Sequence, residues 1–213
     1  MNKETDVTNK TEDSGRLRPF SDDWLRSSVV VVTEPLARGL ARLNLHPNTI
    51  TIIGFLMNVV AAVIVGLGYV RAGGVVMLLA SSTDALDGML ARLTSRQSRF
   101  GAFLDSTLDR LSEGAVLIGL MAWFLSQGSD LGVLLSAITL LGSVMVSYTR
   151  ARAEGVGYEC KVGLLTRPMR VVILGIGMLA LWLIPVLVLL TVFTSFTVIQ
   201  RMLHVYRAAQ HHP

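Results

Sequence analysis

A single cysteine, Cys160, stands among 213 residues, so no internal disulfide can form, and the redox compartment is left open. Charge is scarce too. Asp, Glu, Lys and Arg make up 16% of the chain against 52% hydrophobic residues. With a mean hydropathy of +0.56, an ordinary soluble domain is excluded and an integral membrane protein is expected. No cleavable signal peptide is expected, because the first apolar run stands behind the polar residues 1–21. No internal repeat of fixed period is visible. The net charge of +4 does not point to nucleic acid, since the basic residues punctuate the ends of apolar segments. Lipid headgroups and phosphorylated substrates are the acidic partners this distribution suits.

Residues 1–21 have almost nothing to bury and read as a disordered cytoplasmic tail. Residues 22–45 carry Trp24, Leu25, Val29, Val32, Leu36, Leu40 and Leu43 at helical spacing, interrupted by Arg26, Arg38, Arg42 and Pro35. That pattern predicts an amphipathic helix lying in the membrane interface, or else a soluble helix packed on the membrane domain. Residues 46–208 then form the membrane domain, with six transmembrane helices predicted at 48–70, 72–93, 100–125, 131–150, 168–184 and 185–206; Pro185 is taken as the break between the last two. Residues 209–213, with His211 and His212, read as a solvated tail. The fold class expected is thus an all-α membrane protein.

Charge placement sets the orientation. Only Arg71 falls on the side of the turns near 71, 128 and 185, whereas Arg92, Arg96, Arg99, Arg150, Arg152, Lys161, Arg167, Arg170, Arg201 and Arg207 fall on the other. The positive-inside rule puts that side, and both termini, in the cytoplasm, as in a multi-pass cell-membrane protein. Trp123, Trp182 and Tyr206 read as interfacial anchors.

The segment 84–110, DALDGMLARLTSRQSRFGAFLDSTLDR from Asp84, breaks the apolar pattern. A central membrane aspartate opposes insertion by roughly 2.5 to 3.5 kcal/mol, so four of them need cations or a polar cavity. Asp84 and Asp87 are three apart and Asp105 and Asp109 four apart, so each pair shares one helix face. Two antiparallel helices joined by the turn 94–98 are expected to bring the pairs face to face. Converging carboxylates with no His or Cys nearby suit Mg²⁺, or Mn²⁺, and a two-metal clamp on a phosphate. Gly88 and Gly101 leave room for a ligand or a close helix neighbour. Arg92 lies on the Asp84/Gly88 side, where it can hold a phosphate. Glu113, one turn after Asp109, can join the cluster, with Arg110 as its nearer partner. Gly114, Ala115 and Gly119 permit close helix contact, within the chain or across a dimer.

The residues Asp84, Asp87, Gly88, Ala91, Arg92, Gly101, Asp105 and Asp109 resemble, without a departure, the D-x-x-D-G-x-x-A-R…G-x-x-x-D-x-x-x-D signature of the CDP-alcohol phosphotransferase family. The resemblance implies that Asp84, Asp87 and Asp105 hold one metal, and that Asp84, Asp105 and Asp109 touch a second. It implies that Asp109 is the general base toward the acceptor hydroxyl. The CDP headgroup is expected at Asn48, Thr49, Ile50, Thr51, Gly88, Arg92 and Ser98, although Thr49 and Thr51 serve equally well as helix caps. The family's habit implies a homodimer.

TEPLARGL, LHPNTITIIG, SYTRARAEG, the RPMR segment and QRMLH look like the branch of that family that joins CDP-diacylglycerol to inositol phosphate. In that branch, basic residues at the places of Arg150, Arg167 or Arg170, and Arg201 form the acceptor-phosphate pocket. Arg150 departs from the Lys expected there, and its planar fork differs from a point charge. Each of these arginines also fits a simple positive-inside anchor, as does Lys161. The resemblance implies phosphatidyl transfer to a phosphorylated polyol, giving phosphatidylinositol phosphate and CMP. The alternatives are glycerol 3-phosphate as acceptor, free inositol or serine as acceptor, and, in another class, a cation transporter.

Overall fold

The computed structural model describes residue 39 and residues 45–94 and 96–211. The predicted tail 1–21 and interfacial helix 22–45 therefore lie outside the described residues, save for positions 39 and 45. Six helices follow in order: α1 Pro47–Gly66, α2 Val70–Leu93, α3 Arg99–Ser126, α4 Asp130–Gly155, α5 Arg167–Ala180 and α6 Leu183–His211. No strand occurs among the described residues.

Local chemistry sets most of the boundaries. His46 caps α1, its Nδ1 accepting from the Asn48 N–H at 3.3 Å, and Pro47 occupies the first turn, where a missing N–H is harmless. Ser98 caps α3 and Ser129 caps α4 through their hydroxyls. The fifth and sixth helices part at Leu181 and Trp182, not at Pro185. Leu181 takes the left-handed conformation at φ 58°, and the Trp182 N–H returns to the Gly177 carbonyl at 2.9 Å, closing α5 as a glycine would. Pro185 sits inside the first turn of α6, which tolerates it. At its other end α6 runs to His211, past the expected boundary at 208.

Among the described residues four helices are long and apolar enough to cross a membrane: α1, α2, α4 and α6. At 28 residues α3 has the length, but its first four turns carry Arg99, Asp105, Asp109 and Arg110, with Glu113 just beyond. The 14 residues of α5 span about 21 Å, short of a hydrocarbon core of about 30 Å. Exposed Ile52, Leu56, Val60 and Val63 line one face of α1, and Val192, Phe196, Ile199 and Leu203 one face of α6. Such stripes suit lipid rather than water. Trp182 and Tyr206 stand exposed near the two ends of α6, whereas Trp123 packs on the core.

Packing runs through α1, which lies against both α2 and α3. The hairpin expected from α2 and α3 does not form as a packed pair, because the two scarcely touch along their length and splay around α1. On the other side α4 packs on α3 and α6, and α5 bridges α2 and α6. The core joins Ala61 and Val65 to Met77, Leu117, Leu120, Leu174, Met178 and Leu187. Small residues allow these approaches inside one chain. A Cβ on Gly119 would fall on the Ala62 carbonyl of α1, and one on Gly114 would lie 3.3 Å from Leu140 of α4.

Gly119→Leu is therefore expected to force α1 from α3, destabilising by about 1–3 kcal/mol. Gly155→Ala, where a Cβ meets nothing within 4 Å, should be nearly silent. Thermal unfolding in detergent compares the two.

Candidate active site

Two carboxylates held within a few ångström of one another need positive charge between them. Asp84 from α2 and Asp109 from α3 meet across Arg167, the first residue of α5. Its Nη1 donates to Asp84 Oδ2 at 2.6 Å and forms an ion pair with Asp109 Oδ1 at 2.7 Å. Helices α2, α3 and α5 are thereby joined at one guanidinium. All three side chains keep some exposure, 28% for Asp84, 16% for Asp109 and 19% for Arg167. The junction is thus reachable by a ligand.

Two atoms around this junction lack partners: Asp105 Oδ1 and Arg167 Nε are buried without a hydrogen bond. An orphaned carboxylate oxygen in an apolar setting is a place for a cation, and an orphaned guanidinium N–H a place for an anion. The Asp87 side chain lies outside the described residues. Among the described residues no three His, Cys, Asp or Glu side chains gather tightly enough to hold an ion by themselves. The donor set, hard carboxylate oxygens with one unsatisfied, nevertheless fits Mg²⁺ or Mn²⁺ and no softer metal.

Beside the acids lies a cavity of about 570 Å³ that Asp105 helps to line. Asn48, Thr51, Gly88, Arg92 and Ser98 all face it, together with Arg96 and Arg99. The N-termini of α1 and α3 both open here, so backbone N–H groups add to the charge of three arginines. Gly101 holds the two termini close: a Cβ there would lie 3.0 Å from Ser98 Oγ and 3.1 Å from Asn48 Oδ1. A Cβ on Gly88 would meet nothing within 4 Å, which leaves the floor open. Thr49 and Ile50 do not line the cavity. Thr49 is exposed, Ile50 is 5% exposed in the core, and only every third or fourth residue of the α1 start faces inward. Thr51 faces the cavity and also donates to the Pro47 carbonyl at 3.3 Å, so it both lines the wall and ties the first turn.

The four arginines expected at an acceptor site are spread over three helices. Arg167 bridges the aspartates. Arg170, 3% exposed, forks onto Glu113, Nε to Oε1 and Nη2 to Oε2, each at 2.9 Å. Arg201 is buried and donates to the Val162 carbonyl at 2.8 Å and to the Val146 carbonyl, pinning the loop between α4 and α5 to α6. Arg150 pairs with Glu154 at 2.8 Å, with half of each side chain exposed. Arg201 also lines a cleft of about 380 Å³ between α4 and α6, with Arg152, Tyr148 and Tyr206.

Glu113 does not pair with Arg110, whose guanidinium donates to the Ser106 carbonyl of its own helix. Its partners are Arg170 and the Ser143 hydroxyl, which donates at 2.8 Å. The sequence shows only the spacing, with Asp105, Asp109 and Glu113 repeating every fourth residue and Arg167 and Arg170 three apart, and does not name the pairing. Arg96 and Arg99 add to the cavity, although their position at a span end suggests only anchoring. Replacing Arg92 by Ala should weaken CDP binding about tenfold, the worth of a charge-assisted bond, as read by calorimetry; unchanged affinity would remove Arg92 from the site.

Comparison with known proteins agrees with this geometry. The sequence is 39% identical over 172 residues to an archaetidylinositol phosphate synthase of Methanothermobacter thermautotrophicus, covering 78% of this chain and 86% of that one. It is 39% identical over 154 residues to the phosphatidylinositol phosphate synthase of Mycobacteroides abscessus, covering 71% and 70%. The fold superposes with a TM-score of 0.76 and 35% identity on the crystal structure of the Mycobacterium tuberculosis phosphatidylinositol phosphate synthase with CDP-DAG bound, covering 82% of this chain and 94% of that one. A second structure of that protein, in complex with manganese and citrate, gives the same TM-score. The CDP-alcohol phosphatidyltransferase family model matches residues 44–205, and the chain, an enzyme by that descent, belongs to this family.

Proposed function

We propose that this protein transfers the phosphatidyl group of CDP-diacylglycerol to a hydroxyl of inositol phosphate, giving phosphatidylinositol phosphate and CMP. The observation that carries the reading is the Asp84–Arg167–Asp109 junction set against a diphosphate-sized cavity with three arginines. The names of the relatives and the CDP-DAG bound to the M. tuberculosis structure support the same chemistry.

In this mechanism the nucleotide diphosphate lies in the cavity. Arg92, Arg96 and Arg99 and the N–H groups of α1 and α3 neutralise it, and Ser98 caps the α3 terminus that presents them. The acceptor hydroxyl oxygen attacks the lipid-bearing phosphorus, the bond from that phosphorus to the bridging oxygen breaks, and CMP departs. Asp109 takes the hydroxyl proton. Asp84, Asp87, Asp105 and Asp109 would hold divalent ions, two Mg²⁺ or Mn²⁺, whose charge stabilises the diphosphate and the leaving group. Arg167, with its unpartnered Nε, is placed to receive the acceptor's phosphate next to the base, and Arg150, Arg170 and Arg201 complete the cationic side. A cation transporter fits less well, because Arg92, Arg96 and Arg99 line the cavity beside the acids, and a cation path would avoid such phosphate-binding groups.

The same reading places all six helices in the membrane domain, with both termini and the site toward the cytoplasm of the cell membrane and the chain as a homodimer. The cytoplasmic assignment rests on the one-sided clustering of arginines around the site.

Purified protein in mixed micelles with CDP-diacylglycerol and Mg²⁺ should release CMP with inositol phosphate as acceptor and far more slowly with glycerol 3-phosphate, inositol or serine. A preference for glycerol 3-phosphate would reassign the acceptor. Asp109→Asn should reduce turnover by about 10²–10⁴-fold while CDP-lipid binding and binding of the Mn²⁺ assigned to Asp84, Asp87 and Asp105 largely survive. Near-normal turnover would take the proton-acceptor role from Asp109.

A further inference from the structure

Glu113 is a carboxylate deep in the helix bundle, with its side chain 7% exposed and that of its partner Arg170 4% exposed. Ser143 of α4 and both edges of the Arg170 fork hold it, so α3, α4 and α5 are tied at one point. Helix α5 packs on α2 and α6 and makes no broad contact with α3. Its height and rotation relative to α3 are therefore set by long side chains rather than by ridges and grooves. Two such links exist, and they form a ladder: Asp109 with Arg167 at 2.7 Å, then Glu113 with Arg170 at 2.9 Å one turn deeper. The outer rung is partly exposed and shared with Asp84, so it can exchange partners. The inner rung is buried and doubly bonded, so it cannot do so without leaving a bare charge in an apolar interior.

Resting on the transfer reaction above, we infer that Glu113 is a positioning residue for the acceptor side of the site. By locking Arg170 it fixes the first turn of α5, and so holds the Arg167 guanidinium beside Asp109 at the spot where the acceptor's phosphate and its reacting hydroxyl must be presented together. The CDP cavity is built by α1, the end of α2 and the start of α3, and neither Glu113 nor Arg170 lines it. A fault in that rung should therefore weaken acceptor binding and leave CDP-lipid binding alone.

Glu113→Gln in the full chain keeps the volume and the capacity to accept from Ser143 while removing the charge that holds Arg170. The expected result is an acceptor KM raised about tenfold or more, a CDP-diacylglycerol KM within about twofold, and partial rescue by Glu113→Asp. Calorimetric binding of inositol phosphate should fall in parallel. Ser143→Ala removes one bond from the same carboxylate without touching the charge pair. It should shift the acceptor KM in the same direction by a smaller factor, and it decides the matter if Glu113→Gln does not fold. Equal losses for both substrates, or an unchanged acceptor KM in the folded variants, would overturn the positioning role. If the wild type transfers to a different phosphorylated acceptor, the proposed substrate falls and the KM comparison is read with that acceptor instead. Normal wild-type use of inositol phosphate with no KM shift in the variants sinks the positioning role alone.

Discussion

Negative charge sunk into an apolar helix bundle has to be met by positive charge at short range, and the polar end of this protein is arranged around that requirement. Asp84 and Asp109 come from helices that pack on α1 rather than on each other. What joins them is Arg167, reaching in from a third helix to both carboxylates. A cation therefore sits among the acids even with no metal, which prevents the repulsion that would otherwise drive α2 and α3 apart. Its buried, unpartnered Nε–H and the bare Asp105 oxygen show the same junction to be incomplete.

That incompleteness is what suits a phosphoryl-transfer site. The cavity beside the acids draws its positive charge from two sources, three arginine side chains and the N-termini of two helices whose approach depends on Gly101. The ladder from α3 to α5 divides the remaining work: a buried rung at Glu113 and Arg170 that holds, and a half-open rung at Asp109 and Arg167 that can change partners on binding. Removing either buried partner would strand the other, which is why such a pair suits a fixed point and the exposed pair suits a working one.

The helices were legible because they are mostly long apolar runs ended by turn residues, and all six starts fall within two residues of those read from hydropathy. The break before α6 was hidden, since Leu181 adopts a backbone conformation that glycine normally signals, while Pro185 signals a break where a first turn merely tolerates it. The four aspartates announced themselves through their spacing and their misfit with an apolar setting. The partner of Glu113 did not, because Arg110 is near in sequence but bonds within its own helix, and Arg170 arrives from another element. Likewise Asn48, Thr51 and Ser98 face the cavity, whereas Thr49 and Ile50 turn away because a helix presents only one side. Pairings between distant helices depend on how those helices cross, which neither periodicity nor charge count encodes.

The central claim is that carboxylates from α2 and α3 together hold divalent metal at the mouth of the diphosphate cavity. Electron paramagnetic resonance of Mn²⁺ titrated into the purified protein with CDP tests it directly. The account predicts stoichiometric loss of the free-ion signal in the wild type and its return in Asp84→Asn. Mn²⁺ bound equally well by both proteins would contradict it.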